Sequence, residues 1–311
     1  MGQKNNVICS YLSDPAVFAD FINGSLHHGQ KVVLPHQISD REAVSYTKEE
    51  PKQLSAGKPK YIARQRDVLK AFCNDKRYMV IGIEAQDQVN NTMPLRCMEY
   101  DVTEYKKQIK ELGKKREKPL SGAEFLSGMA KDEKLYPVTT IVFYHGEDPY
   151  DGCTSLHDML ELNKENQTYK RFIADYHINL VRPEDLDETV FETGLQELVG
   201  FLKRQNDRQE LMEFVEQNKE RIENMDEETF DAISIVLSLP KKILKRKKHI
   251  EGDGHNMCRA MKEWIADERK EGETRFVSLT SILLSSQRLD DLNKAVSDEN
   301  FRNSLYQEFA L

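Results

Sequence analysis

The sequence predicts an α/β protein, a mixed sheet flanked by helices and followed by a helical C-terminal region. Three observations carry this expectation. A short apolar run at residues 79–83 leads into Glu84-Ala85-Gln86 and reads as a strand covered on both faces. The run Val-Thr-Thr-Ile-Val-Phe-Tyr at residues 138–144 is the most β-prone in the chain, being rich in branched and aromatic residues. From Asp187 onward strand signals nearly vanish, while apolar residues recur at helical spacing. The expected division is therefore a sheet-bearing domain over residues 1–186 and a helical region over residues 187–311.

In chain order, Asp14-Pro15 opens a first helix, because Asp caps well and Pro is tolerated in a first turn. Its apolar side is Val17, Phe18, Phe21, Ile22 and Leu26, and His27-His28-Gly29 ends it. Residues 39–60 are polar, with Pro51, Gly57 and Pro59, and read as a loop or weak hairpin. Residues 61–72 read as one strand with Asp67 near its middle, joined by a short polar connection to the strand at residues 78–86. Thr92 caps a long helix whose Leu95, Met98, Val102, Tyr105, Ile109 and Leu112 predict a core face. Its other side carries Lys106, Lys107, Lys110, Lys114, Lys115 and Arg116, which suit either a solvated helix end or contact with phosphate. A short helix near residues 123–129, a helix near 155–162 and a strand over 177–182 complete this half. Helices follow over residues 190–202, 211–222 and 230–239, the last stopped by Pro240. Residues 241–248 then hold six Lys or Arg in eight positions, a solvated linker, a nucleic-acid contact or an interaction arm. Helical faces return around Met257–Ile265 and residues 276–284.

At 311 residues, 39% hydrophobic and 32% charged, the composition is that of a soluble protein with much helical surface. No run approaches bilayer length and the N-terminus lacks a basic segment followed by an apolar one, so the expected compartment is the cytoplasm, without a membrane partner. Five cysteines without CxxC spacing suggest neither a disulfide framework nor a zinc cage and read as ordinary thiols. A net charge of -8 argues against a basic coat, although nucleic-acid binding needs only a local positive field.

Side chains two apart on a strand share a face, so Glu84 and Gln86 project together from the end of a buried strand. An unpaired buried carboxylate costs several kcal/mol or takes a proton, so Glu84 needs a cation. Hairpin pairing would bring Asp67 beside it, both within reach of one hard divalent ion. The plainer alternative is that Asp67 is a solvated strand residue and Glu84 marks a strand end.

Arg64-Gln-Arg-Asp67-Val-Leu-Lys70, Ile83-Glu-Ala-Gln86 and Met93-Pro-Leu-Arg-Cys-Met-Glu-Tyr-Asp101 together resemble the signature of the Rpn family of recombination-promoting nucleases and putative transposases, within the PD-(D/E)XK nuclease superfamily. The likeness also touches Phe18–Asn23, residues 137–144, Met257–Met261 and Tyr306–Phe309. It implies a restriction-endonuclease-like core and a metal-dependent DNA endonuclease working in recombination or mobile-element biology. Asp67, Glu84 and the Ala85 carbonyl would hold Mg²⁺ or another divalent cation, with Asp20 as the first-helix acid pointing toward it. The superfamily normally places Lys where Gln86 stands; Gln can only orient a water by hydrogen bonds, which shifts the burden of charge to the metal or to Arg66, Lys70 or Arg96. Arg64, Arg66, Lys70 and Arg96 are the expected DNA contacts, and the helical C-terminal region the expected place for self-association. The alternative is a catalytically inactive descendant that binds DNA or a protein.

Overall fold

The computed structural model describes residues 2–41, 44–49, 60–65, 67–74, 77–117, 119–239, 270, 273–309 and 311. The basic run at 241–248 and the helical face at 257–265 lie outside these residues. Two compact units result, one comprising Met1–Asp207 with Asp226–Ser238 and the other Arg208–Met225 with Leu239–Leu311.

The first unit is built on a five-stranded sheet in the order β1-β4-β5-β6-β7. Its strands are β1 (Ile38–Asp40), β4 (Val68–Asn74), β5 (Arg77–Gln86), β6 (Val138–Tyr144) and β7 (Asn179–Val181). The β1–β4 and β4–β5 pairs are antiparallel, whereas β5–β6 and β6–β7 are parallel. The parallel step from β5 to β6 is made through a long helix, α3 (Met93–Lys115), as parallel neighbours require. Mixed pairing follows from the sequence, because β5 meets a hairpin neighbour on one edge and a crossover strand on the other. It therefore has no solvent-facing edge and takes the near-continuous apolar run. A separate antiparallel pair joins β2 (Val44–Glu49) to β3 (Lys60–Gln65), so the second strand of this hairpin falls beyond the loop or weak hairpin expected over 39–60, in the stretch read as one strand over 61–72.

Two helices precede the sheet. The first, α1 (Gln3–Tyr11), was not expected, since only Ile8, Cys9 and Tyr11 among its apolar residues are buried and they make no repeating stripe. The second, α2 (Pro15–His27), starts as read: the Asp14 carboxylate accepts from the N–H groups of Ala16 at 2.8 Å and Val17 at 3.1 Å. It ends at His28, which adopts the left-handed conformation. Val17, Phe18, Phe21 and Ile22 are buried, and Phe21 packs edge-on against Phe143 of β6 at 5.1 Å. Leu26, expected on the same face, is 39% exposed because it lies in the last turn, past the sheet's cover. Against the other face of the sheet, Met93 and Cys97 of α3 pack with Val142 and Ile178.

The core face of α3 departs from the sequence reading. Leu95 and Val102 are 46% and 43% exposed, and the buried positions are Met93, Pro94, Cys97, Tyr100, Asp101, Glu104 and Gln108. Three of these are polar, and each is satisfied by a partner that helical periodicity cannot reveal. Asp101 accepts from the Thr140 and Tyr176 hydroxyls, both at 2.6 Å, and Glu104 pairs with Arg41. The Gln108 side chain bridges both backbone groups of Tyr136. The helix rolls so that this paired face, rather than the purely apolar stripe, meets the sheet.

Two further departures concern local structure. The stretch read as one strand over 61–72 is interrupted, with Asp67 in the bend between β3 and β4. The expected helix near 155–162 is a single turn, His157–Met159, because Asp158 turns back to accept from Thr154 and Ser155 and so ends the helix as it begins. The short helix α4 (Gly122–Ser127) falls where expected.

After β7 the first unit continues beyond the boundary read at residue 186. Helix α5 (Leu195–Lys203) buries Leu195, Leu198, Val199, Phe201 and Leu202. Helix α8 (Glu227–Val236) returns to pack on α1, where the Tyr11 and Thr229 hydroxyls share a hydrogen bond of 2.8 Å. The fit is close: a Cβ added to Gly24 would lie 2.1 Å from the Phe191 ring. The second unit holds α6 (Arg208–Gln217), α7 (Lys219–Glu223), a helical stretch over residues 273–285 and the helices Leu289–Ser297 and Glu299–Glu308. Leu279, Leu283, Ala295 and Leu305 form its buried cluster. Among the described residues no helix is long and apolar enough to cross a membrane.

Candidate active site

The β4–β5 register pairs Val68 with Ile83, so Asp67, one step before β4, faces Glu84, one step further along β5. The expected juxtaposition of the two acids is thus present, although Asp67 reaches it from a bend. On the other edge Glu84 is in register with Val142 and Gln86 with Tyr144, which places Glu84 and Gln86 on the face that α3 covers. Glu84 is fully buried, whereas Asp67 and Gln86 are half-buried.

The Asp67 carboxylate is held by the chain itself. Its Oδ2 accepts the Ala85 N–H at 2.9 Å, and no hydrogen bond reaches the buried Oδ1 among the described residues. The Gln86 carbonyl accepts from the His145 N–H on the β6 side, so by strand alternation the polar backbone groups of Ala85 turn toward β4 and Asp67. Burial pushes the Asp67 carboxyl up from its ordinary value; the Ala85 amide, the Arg96 charge and the Cys9 thiol oppose that.

Arg96, in the first turn of α3, supplies the cation that a buried Glu84 needs. Its Nη2 stands 2.8 Å from Glu84 Oε2, and its Nε–H donates to the Tyr100 hydroxyl at 3.1 Å. Burial, with the Glu84 charge adding to it, raises the Tyr100 phenol above its usual range. Cys9 of α1 also belongs here: burial first, then the charge and hydrogen bonding of Asp67 and the charge of Glu84, push its thiol up. Neither α1 nor a role for Cys9 was visible in the sequence, because the thiol reaches the site from a helix with no periodic signal. Nothing but proximity in the fold could have found it.

The remaining expected residues are placed elsewhere. Asp20 is not brought to the carboxylate pair: its Oδ2 accepts from the N–H groups of Glu192 and Thr193 and the Thr193 hydroxyl, at 2.7–2.9 Å, bracing the segment that leads into α5. Lys70 is buried, and its ammonium donates to the Ser13 carbonyl at 2.7 Å and the Asp40 carboxylate at 2.5 Å, so it is spent inside the fold rather than offered to a phosphate. Arg64 is placed by its backbone, opposite Ser45 in the β2–β3 pair, and Arg66 lies outside the described residues. Lys106, Lys110, Lys114 and Lys115 are exposed, while Arg116 pairs with Glu133 at 2.7 Å.

The donors gathered here are oxygens: two carboxylates and the backbone of Ala85. Among the described residues no group of three or more His, Cys, Asp or Glu side chains could hold a metal ion. A two-carboxylate set suits a hard divalent cation that keeps most of its waters, as Mg²⁺ does, and the unaccepting Oδ1 of Asp67 is the kind of atom such an ion takes.

The fold and site define a mixed α/β protein with an acidic pair at the end of its central strand, neutralised from the following helix. The family profile described as "Putative transposase, YhgA-like" matches residues 64–232, and the chain belongs to that family. The match spans the strand pair, α3 and the helices through most of α8, and membership points to a nuclease or mobile-element role with DNA as the interacting molecule. Neither a search of curated proteins nor one of solved structures finds a match.

Proposed function

We propose that this protein is a divalent-metal-dependent DNA endonuclease of the PD-(D/E)XK type, acting in recombination or mobile-element biology. The observation that carries the reading is the Asp67–Glu84 pair across β4 and β5, with Ala85 turned toward Asp67. The topology supports it: a helix, three antiparallel strands β1-β4-β5, a crossover helix and a parallel strand β6 give the order expected of that core.

Asp67, Glu84 and the Ala85 carbonyl would hold Mg²⁺. When bound, such an ion supplies an acidified water and charge stabilisation for the departing oxygen. Gln86 shares the Glu84 face and is only half-buried, so its amide can orient a water by hydrogen bonds. The exposed lysines of α3 offer a screened, sequence-independent attraction to phosphates.

Plasmid nicking with and without Mg²⁺ tests the reading, using the parent, Asp67→Asn and Glu84→Gln. Cleavage by the parent in Mg²⁺ and its loss in both variants is the expected result; full cleavage by either variant removes the site. One feature favours a second reading, a non-catalytic DNA- or protein-binding descendant: Gln86 stands where the superfamily has Lys, and the cation at Glu84, Arg96, is already paired with that carboxylate. DNA retention without nicking in any divalent metal is the outcome that reading requires.

A further inference from the structure

Glu84 faces two claims on one carboxylate. Arg96 stands 2.8 Å from its Oε2, and the same carboxylate is the one a divalent ion would take. The guanidinium is held deliberately rather than swept in by chance. Its Nε–H donates to Tyr100 one turn along α3, its carbon lies 5.6 Å from the Tyr100 ring centre, and its positive charge also favours the ionised form of Asp67. The Arg96 side chain nonetheless keeps 28% of its surface exposed while Glu84 has none, so Arg96 has somewhere to go and Glu84 does not.

We propose that Arg96 is a displaceable internal counter-ion that sets the metal affinity of this site. It partners the Glu84 carboxylate, then yields it to the incoming divalent cation. A dication at Glu84 repels the guanidinium beside it, and in this proposal metal binding turns Arg96 outward about its Tyr100 contact. The freed guanidinium is then a ready partner for a phosphodiester, which it can grip through two parallel N–H bonds. Metal and DNA would thus bind with mutual reinforcement through Arg96. The inference rests on the metal-dependent reading above.

The test is Mn²⁺ affinity of the full chain, followed by the loss of the free-ion paramagnetic signal, for the parent, Arg96→Gln, Arg96→Lys and Glu84→Gln. Arg96→Gln should bind Mn²⁺ at least about tenfold more tightly than the parent, because the competing charge is gone. Arg96→Lys should stay within a few-fold of the parent, and Glu84→Gln should lose the site. A short DNA duplex, its own Mn²⁺ binding subtracted, should tighten Mn²⁺ binding by the parent and leave Arg96→Gln unmoved. Should Arg96→Gln fold poorly without metal, Tyr100→Phe, which loosens the guanidinium without removing it, should tighten Mn²⁺ binding about two- to threefold. Equal or weaker Mn²⁺ binding by Arg96→Gln overturns the counter-ion role even if the parent cuts DNA. Absence of Mn²⁺ binding in every variant overturns the metal-dependent reading as well. Tighter binding without nicking supports the counter-ion while removing the nuclease.

Discussion

Asp67 is a carboxylate whose burial opposes its charge, so the residue proposed to serve chemistry works against stability. Asp67→Asn keeps an acceptor for the Ala85 amide and removes the desolvated charge. It should therefore abolish metal-dependent nicking while leaving the melting temperature at pH 7 unchanged or raised. Gln86 separates water orientation from metal holding. Gln86→Ala should slow cleavage by about 10²-fold, the typical loss of one catalytic hydrogen bond, with DNA affinity preserved, and Gln86→Lys should remain active. A parent-like rate in Gln86→Ala would make Gln86 an ordinary strand residue. His145, just past β6, bears on pH. Burial pushes its imidazole down to about 4, the Asp87 charge opposing this and the Lys4 charge reinforcing it, and neither ring nitrogen has a hydrogen-bond partner among the described residues. The unfolded chain takes up this proton near the ordinary histidine value while the folded chain refuses it, so the stability is complete above that value and is lost as pH falls toward 4. Between pH 7 and pH 5 denaturant melts should lose about 2 kcal/mol from this residue, and His145→Phe should flatten that part of the profile.

Among the elements, α3 carries both the site and the clearest lesson about reading it. The pairing of Glu84 with Gln86 and the approach of Asp67 were legible, because strand alternation and a short connection are local rules. The identity of the cation on Glu84 was harder to read. Arg96 lies on the signature stretch and was marked for DNA, but only the roll of α3, dictated by the partners of Asp101, Glu104 and Gln108, aims it at β5. That roll depends on contacts far apart in the chain, such as Thr140 and Arg41, which periodicity does not encode. Breaking it should be felt at the site: Asp101→Leu would strand the buried Thr140 hydroxyl and the part-buried Tyr176 hydroxyl and should weaken both stability and Mn²⁺ binding. The meeting of α2 with residue 191 permits a simpler check. Gly24→Ala puts a methyl into the Phe191 ring, and overpacking of that kind should cost about 1–3 kcal/mol in denaturant melts. An unchanged midpoint would mean that Phe191 can move aside.

At the scale of the molecule, the first unit is not one continuous stretch: it runs through Asp207, omits Arg208–Met225 and resumes over Asp226–Ser238. A chain shortened to residues 1–186, the boundary composition suggested, loses α5 and α8 from the first unit, and one shortened to 1–207 loses only α8 from it. Both should show partial loss of cooperative unfolding and of metal binding, because α1 brings Cys9 to the site and leans on α8 through Tyr11 and Thr229. A chain ending at residue 238 should melt cooperatively; if 1–207 does so equally well, α8 is an accessory. The Tyr11–Thr229 contact joins positions 218 residues apart, which has a meaning for the order of synthesis. The helix that brings Cys9 to the acidic pair leaves the ribosome well ahead of the helix that seats it, Tyr11 preceding Thr229 by 218 residues. A nascent chain would carry its acids for most of translation without the wall that shapes them, so competence would arrive late and at one step.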